Sequence, residues 1–201
     1  MAKIAEHVFL SLLIAYPILS LIEYSIHRHL MHRRTIAETF NSRYLFETFQ
    51  EPAVLHHHSC YAVFDREPDM CAATNIKIWP GTTLMVIAAP CLMILPVDVL
   101  TALVFLCGAL INSRMWSTIH SEMHRPSNAW FSAVGVYVYL RQWHFLHHRH
   151  PGTNFNTLFL MWDWLLGTAA VMTEEDRKEI ESGMWRIRPV SEKLGGTFAE
   201  Q

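Results

Sequence analysis

The sequence is short of charge. Asp, Glu, Lys and Arg make up 17% of its 201 residues, against about 25% in an ordinary soluble domain. A net charge of −2 leaves no basic stripe of the size a nucleic-acid partner requires, which excludes that class. The four cysteines, Cys60, Cys71, Cys91 and Cys107, include no CxxC pair. They read as free core or lipid-facing thiols, not as a disulfide framework. No HExxH stretch occurs, so the carboxylate base that a zinc hydrolase sets among its histidines is missing. There is no repeat of fixed period and no low-complexity tract. No small-residue cleavage site follows the N-terminal apolar run, which reads as a retained membrane helix and not a signal peptide.

Apolar residues are abundant instead: 51% of the chain, with seven Trp and eleven Phe. A first apolar run covers residues 8–26 and contains Pro17 and, near its end, Glu23. As a helix it would be roughly 28 Å long, close to the thickness of a bilayer core. Runs at 82–95 and 99–116, joined by Leu95-Pro96-Val97-Asp98, suggest a helical hairpin. The stretch 129–140 is too short to span and reads as a partial, re-entrant or interfacial helix. Residues 158–171, which include Asp163, read as an interfacial or packed helix. Residues 173–183 have the marks of a short surface helix: Thr173 as N-cap, Asp176 three residues on, Gly183 at the end. Beyond residue 191 a loose tail is expected. Trp116, Trp130, Trp143, Trp162, Trp164 and Trp185 include candidate interface anchors.

The expected fold is therefore all-α: an integral-membrane helical domain over residues 1–172, with about three spans plus interfacial and cytosolic helices, followed by a polar C-terminal helix and tail over 173–201. Arg28, Arg33 and Arg34 follow the first run, Lys77 precedes the second, and Arg114 and Arg125 flank the end of the third, whereas the hairpin turn has only Asp98. The positive-inside rule then puts residues 27–80 and 114–201 in the cytoplasm, with Lys3 the one contrary charge. All the histidine clusters fall on that side.

Thirteen histidines are the outlier. Ten of them form four groups: His27 and His32; His56, His57 and His58; His120 and His124; His144, His147 and His148. Residues three or four apart share a helix face, so His120 and His124 can serve one ion. His147 and His148 point about 100° apart, which suits two ions side by side. His27 and His32 would be splayed by about 140° on a regular α-helix, so they need a backbone that bends toward a shared centre. His7, His29 and His150 are assigned to core or supporting roles. Imidazole suits zinc, copper, iron and nickel alike; ten candidates are too many for one ion and about right for two.

His27-x4-His32 within Glu-Tyr-x-x-His-Arg, His120-x3-His124 and His144-x2-His147-His148, followed by His150-Pro-Gly-Thr-Asn154 and Trp162-Asp163-Trp164, resemble the motifs of the fatty acid hydroxylase/sterol desaturase superfamily over roughly residues 20–170. The second motif departs: HxxHH would want a histidine at position 53 or 54, which hold Ala53 and Val54, so the share of the 56–58 triplet in metal binding stays open. The resemblance implies a membrane oxidoreductase with two iron ions (zinc possible after purification) and O2 as co-substrate. A lipid-like substrate would be hydroxylated or desaturated, with electrons from a separate reductase. It also implies a metal site on the cytoplasmic face of a membrane; the compact size and three-span topology suggest the bacterial inner membrane in preference to the endoplasmic reticulum. Glu23, four residues before His27, is placed either to orient that imidazole or to snorkel as an interfacial carboxylate. Asp163 would accept from a ligating histidine or pair with Arg141 or Arg149. Asn154 would be a weak or water-mediated ligand, or serve a turn. Glu122, pointing away from His120 and His124, reads as a surface or salt-bridging residue. The competing readings are a metal-binding or metal-transport membrane protein and a degenerate family member with a structural metal site.

Overall fold

The computed structural model describes residues 2–32, 39–43, 63–66, 88, 90–92, 94, 96 and 98–186. Among them the secondary structure is helical, apart from one isolated β-bridge between Val63 and Arg186. Helix α1, Ala2–Ser25, passes without a break into a π-helical turn, Ile26–Met31. Then come α2, Val99–His124; α3, Gly135–Arg149; α4, Met161–Leu165; and α5, Glu174–Glu181.

Two helices are long and apolar enough to cross a membrane: Lys3–Met31, which is α1 with its π-turn, and α2. Their apolar side chains are not used up in a core. Only 22% of each apolar window is buried. Phe9, Leu12, Leu13 and Ile14 on α1, and Leu103, Leu110 and Ile111 on α2, are exposed. The core helix of a soluble protein would bury such a set; a helix in lipid need not, since hydrocarbon is as good a solvent for Leu as a protein interior. Pro17 lies inside α1, where its missing N–H leaves the Leu13 carbonyl without its usual helical donor; separately, the Trp162 indole N–H donates to the Pro17 carbonyl at 2.8 Å.

The two long helices run parallel. At one end His7 on α1 bonds to Asp98, the N-cap of α2, at 2.5 Å, and Ser11 to Thr101 at 3.0 Å. Midway, Ala15 and Leu19 pack on Phe105 and Ala109. At the other end lie His27 and His32 of the first helix and His120 and His124 of the second. The apolar run of α2 ends near residue 116, but the helix continues two turns further and delivers its histidines past it. Of the expected run 82–95, the described residues 88, 90–92 and 94 are helical, and Cys91 and Ile94 pack against the α1–α2 contact. The rest of that run lies outside the described residues.

Helix α3 and its surroundings close the histidine end with a second core of Phe64, Trp116, Met123, Tyr137, Phe145 and Trp185. Trp116, Trp143 and Trp185 are buried and Trp162 is half-buried, while Trp130 and Trp164 are 88% and 62% exposed and available as anchors. The helix expected over 158–171 shrinks to the five residues of α4. It stops because the Asp163 carbonyl takes the N–H groups of Thr168 and Ala169, and Gly167 supplies the required positive φ of 68°.

Helix α5 has the expected capping box between Thr173 and Asp176, but Asp176 does more than cap. It is fully buried and holds Arg149 at 2.6 Å and His150 at 3.1 Å, fixing the end of α3. Burial raises its pKa, yet the bonds from Thr173 N and Oγ1 and from His150 outweigh this and pull it down to about 2. A depressed carboxyl stabilises the fold above its unfolded value and loses that contribution as pH falls through the folded one. Asp176→Asn should therefore lower thermal stability in detergent by about 2 kcal/mol at neutral pH. The gap to wild type should narrow as pH falls from about 4 to about 2; melts across that range check it.

Candidate metal centre

The five-residue spacing of His27 and His32 is accommodated by the π-turn. Its wider coil closes an i→i+5 bond, His32 N–H to the His27 carbonyl at 3.2 Å, and so returns residues five apart to one face. Their ring centroids are 5.0 Å apart. His147 from α3 completes the group: its Nε2 is 3.1 Å from His32 Nε2, and its ring centre 4.5 Å from that of His27. The candidate ligand atoms of the three lie within 4.8 Å of one another.

A second group forms beside it from His120 and His124, four apart on α2, and His144 on α3, again within 4.8 Å. His124 Nε2 and His144 Nε2 are 3.1 Å apart, and His148 Nε2 is 3.2 Å from His144 Nε2. The Trp116 ring stacks on His120 at 4.4 Å. Helix α3 bridges the two groups: His144 and His147, one turn apart, have near-parallel rings at 5.6 Å. The rings of His147 and His148 stand 88° apart, one at each group.

The imidazoles are aimed from behind. His27 Nδ1 faces the Phe155 carbonyl at 2.5 Å, His147 Nδ1 the Thr153 carbonyl at 2.6 Å, and His124 Nδ1 the Phe64 carbonyl at 3.0 Å. A carbonyl only accepts, so each Nδ1 carries the proton and each Nε2 is left with its lone pair toward the centre. His144 is fully buried; burial first, and then the neighbouring imidazoles of His120 and His124, hold it well below the ordinary histidine value, so it is neutral. Its Nδ1 meets no hydrogen-bond partner among the described residues, whereas its Nε2 faces His124 and His148. Two nitrogens bound to one ion at about 2.1 Å each lie about 3.0–3.4 Å apart, the spacing seen here. Converging neutral nitrogen donors of this kind fit a divalent transition metal.

The other expected residues act less directly. Glu23, on the turn before His27, does not face that ring: its Oε1 accepts from Thr157 N at 2.6 Å and Leu158 N at 3.4 Å. Asp163 pairs with neither Arg141, which bonds Asp65, nor Arg149, which bonds Asp176. It accepts from Phe155 N at 2.8 Å, Asn156 N at 2.7 Å and Thr168 Oγ1 at 2.7 Å. The two buried carboxylates thus string the 155–158 segment between them, and that segment presents the Phe155 carbonyl to His27. Asn154 serves the turn: at a φ of 53° it donates to the Trp143 carbonyl and accepts from Ala170 N. His150 turns away to Asp176. His56, His57 and His58 lie outside the described residues. Glu122 is a correction: it is buried, and accepts from Ser127 N and Oγ, Ala129 N and Ser132 Oγ, tying the loop after α2 to the helix. The carbonyls of Phe64, Thr153 and Phe155 are the functional groups missed from sequence, because a motif records side chains and not backbone acceptors.

A helical membrane domain whose histidines gather into two metal-competent groups at one end defines a class of protein. Residues 12–168 match the family model for fatty acid hydroxylase, and the chain belongs to that family, one generally of oxidoreductases acting on lipids. No curated protein and no solved structure matches the chain.

Asp163→Ala removes the acceptor behind the Phe155 amide, and a lost supporting partner typically costs about 10–100-fold in metal affinity. Chelator-competition titrations should show such a loss. Thr168→Val, which deletes one bond to Asp163, should lose less.

Proposed function

We propose that the chain is an O2-dependent oxidoreductase that hydroxylates or desaturates a lipid-like substrate at a di-iron centre on the cytoplasmic side of a membrane. The observation that carries the reading is the pairing of two histidine groups on one helix, at the ends of two membrane-length helices. Iron bound at both would supply the activation of O2 needed to attack an unactivated C–H bond. Of the ten proposed ligands, seven lie among the described residues, six in the two groups and His148 against His144.

The chain's own part is aim and exclusion. Carbonyls fix the ring tautomers, Asp163 and Glu23 fix one segment that supplies a carbonyl, and Phe64 and Phe155 pack against the imidazoles and keep bulk water from them. The placement of Phe64 at the histidine end and Asp98 at the opposite end supports the expected topology of about three spans. With both helices spanning in parallel, both sets of ligands would lie on one side, and the arginines after α1 support the cytoplasmic side. Electrons would come from a separate reductase, and the bacterial inner membrane is the favoured location.

Metal analysis of detergent-purified protein, reconstituted with ferrous iron without oxygen, should find about two ions per chain, as two groups of three or more ligands require. His144→Ala should lose at least one of them, along with the oxidised lipid products seen in cells expressing the wild type. No stoichiometric metal would sink the reading.

A further inference from the structure

Residues 155–168 do not stay at the level of the histidines. They descend along α1 toward its N-terminus. Thr157 N is held by Glu23; Asn156 Nδ2 donates to the Ser20 carbonyl at 2.9 Å; Ser20 Oγ donates to the Phe159 carbonyl at 2.7 Å. The Phe159 ring meets Tyr16 at 4.4 Å, and Trp162 reaches the Pro17 carbonyl. The chain then climbs back: Thr168 Oγ1 is 3.4 Å from the Tyr24 hydroxyl. Pro17 stands ten residues before His27, about 15 Å along the helix. It lies within the part of α1, from Ile4 to Leu21, where large apolar side chains are exposed.

Just after the Trp162 contact, Trp164, Leu165 and Leu166 are 62%, 65% and 48% exposed, with the Trp164 ring 5.6 Å from that of Trp143 on α3. Three consecutive exposed apolar residues are anomalous in water and ordinary in lipid. Irregular backbone is admitted at membrane depth only where its own N–H and C=O groups are satisfied from within the protein; the backbone amides at both ends of this segment meet that condition, while the side-chain atoms Glu23 Oε2, Asn156 Oδ1 and Thr157 Oγ1 meet no partner among the described residues. The Phe155, Asn156, Thr157 and Leu158 amides end on the two buried carboxylates, those of Thr168 and Ala169 on the Asp163 carbonyl, and Asn154 N on the Thr168 carbonyl.

We propose that residues 155–168 form a re-entrant hairpin immersed in the acyl-chain layer, with Trp164, Leu165 and Leu166 as a surface that contacts lipid tails. The proposal rests on α1 being a membrane span. It makes the segment that supplies the Phe155 carbonyl to His27 continuous with a lipid-contacting tip.

The test uses the full chain in phospholipid nanodiscs, with native cysteines replaced by serine and a nitroxide at Leu165→Cys, Leu13→Cys on α1 or Glu174→Cys on α5. Collision with O2, which concentrates in hydrocarbon, is compared with collision with a water-soluble nickel chelate. Leu165 should match Leu13 and favour O2, while Glu174 favours nickel. Leu165 matching Glu174 while Leu13 favours O2 overturns the hairpin alone; Leu13 favouring nickel overturns the membrane reading of α1 and the hairpin with it. Should the serine background not fold, Trp164→Phe in otherwise native protein gives a second reading. It should remove fluorescence that lipids brominated in mid-chain quench; removal instead of an acrylamide-quenched component overturns the proposal.

Discussion

Three backbone carbonyls decide where the protons sit on the imidazoles of this protein. Phe155 and Thr153 take the Nδ1 hydrogens of His27 and His147, and Phe64 that of His124. Everything else about the centre depends on that choice, because an imidazole with its proton on the far side presents a lone pair and one with the proton on the near side does not. Imidazole nitrogens facing one another at 3.1 Å in a largely buried cluster are a costly arrangement unless something positive lies between them. The architecture can be read as the means of keeping those carbonyls still: Asp163 and Glu23 hold one segment, the Val63–Arg186 bridge and the bond from Phe64 N to the Trp185 carbonyl hold the other.

The helix ends explain why the histidines sit where they do. α1 and α2 lie parallel, so each offers its C-terminal turns to the same layer, and α3 brings its own histidines to that layer from its last two turns. Fixing the end of α3 falls to Asp176 and Arg149, a buried pair contributed in part by the polar C-terminal helix. That helix looks like an appendage in the sequence, but by this contact it is part of the support of the centre.

Much of this was legible in the sequence, and for identifiable reasons. Apolar length located the two long helices, and histidine spacing located the ligand groups, since both are periodic properties of side chains. The awkward five-residue interval between His27 and His32 signalled a departure from α-geometry, and the π-turn is that departure. Thr173, Asp176 and Gly183 marked α5 because caps are local. The failures were of long-range partnership. Nothing near Glu122 in sequence announces that its carboxylate will gather two serine hydroxyls and two amides, and nothing near Asp163 that it will bond amides eight residues back and no arginine. The run 158–171 misled because its apolar character reflects where the segment lies, whereas its length as a helix is limited by the hydrogen bonds that Asp163 draws to itself.

Helix α3 contributes to both histidine groups from positions three residues apart, His144 and His147. Their separation along the axis is therefore about 4.5 Å, fixed by the rise of an α-helix. Any shift of α1 against α2 would move the outer ligands of each group but leave this inner pair at its spacing. One helix thus acts as a ruler between the two sites.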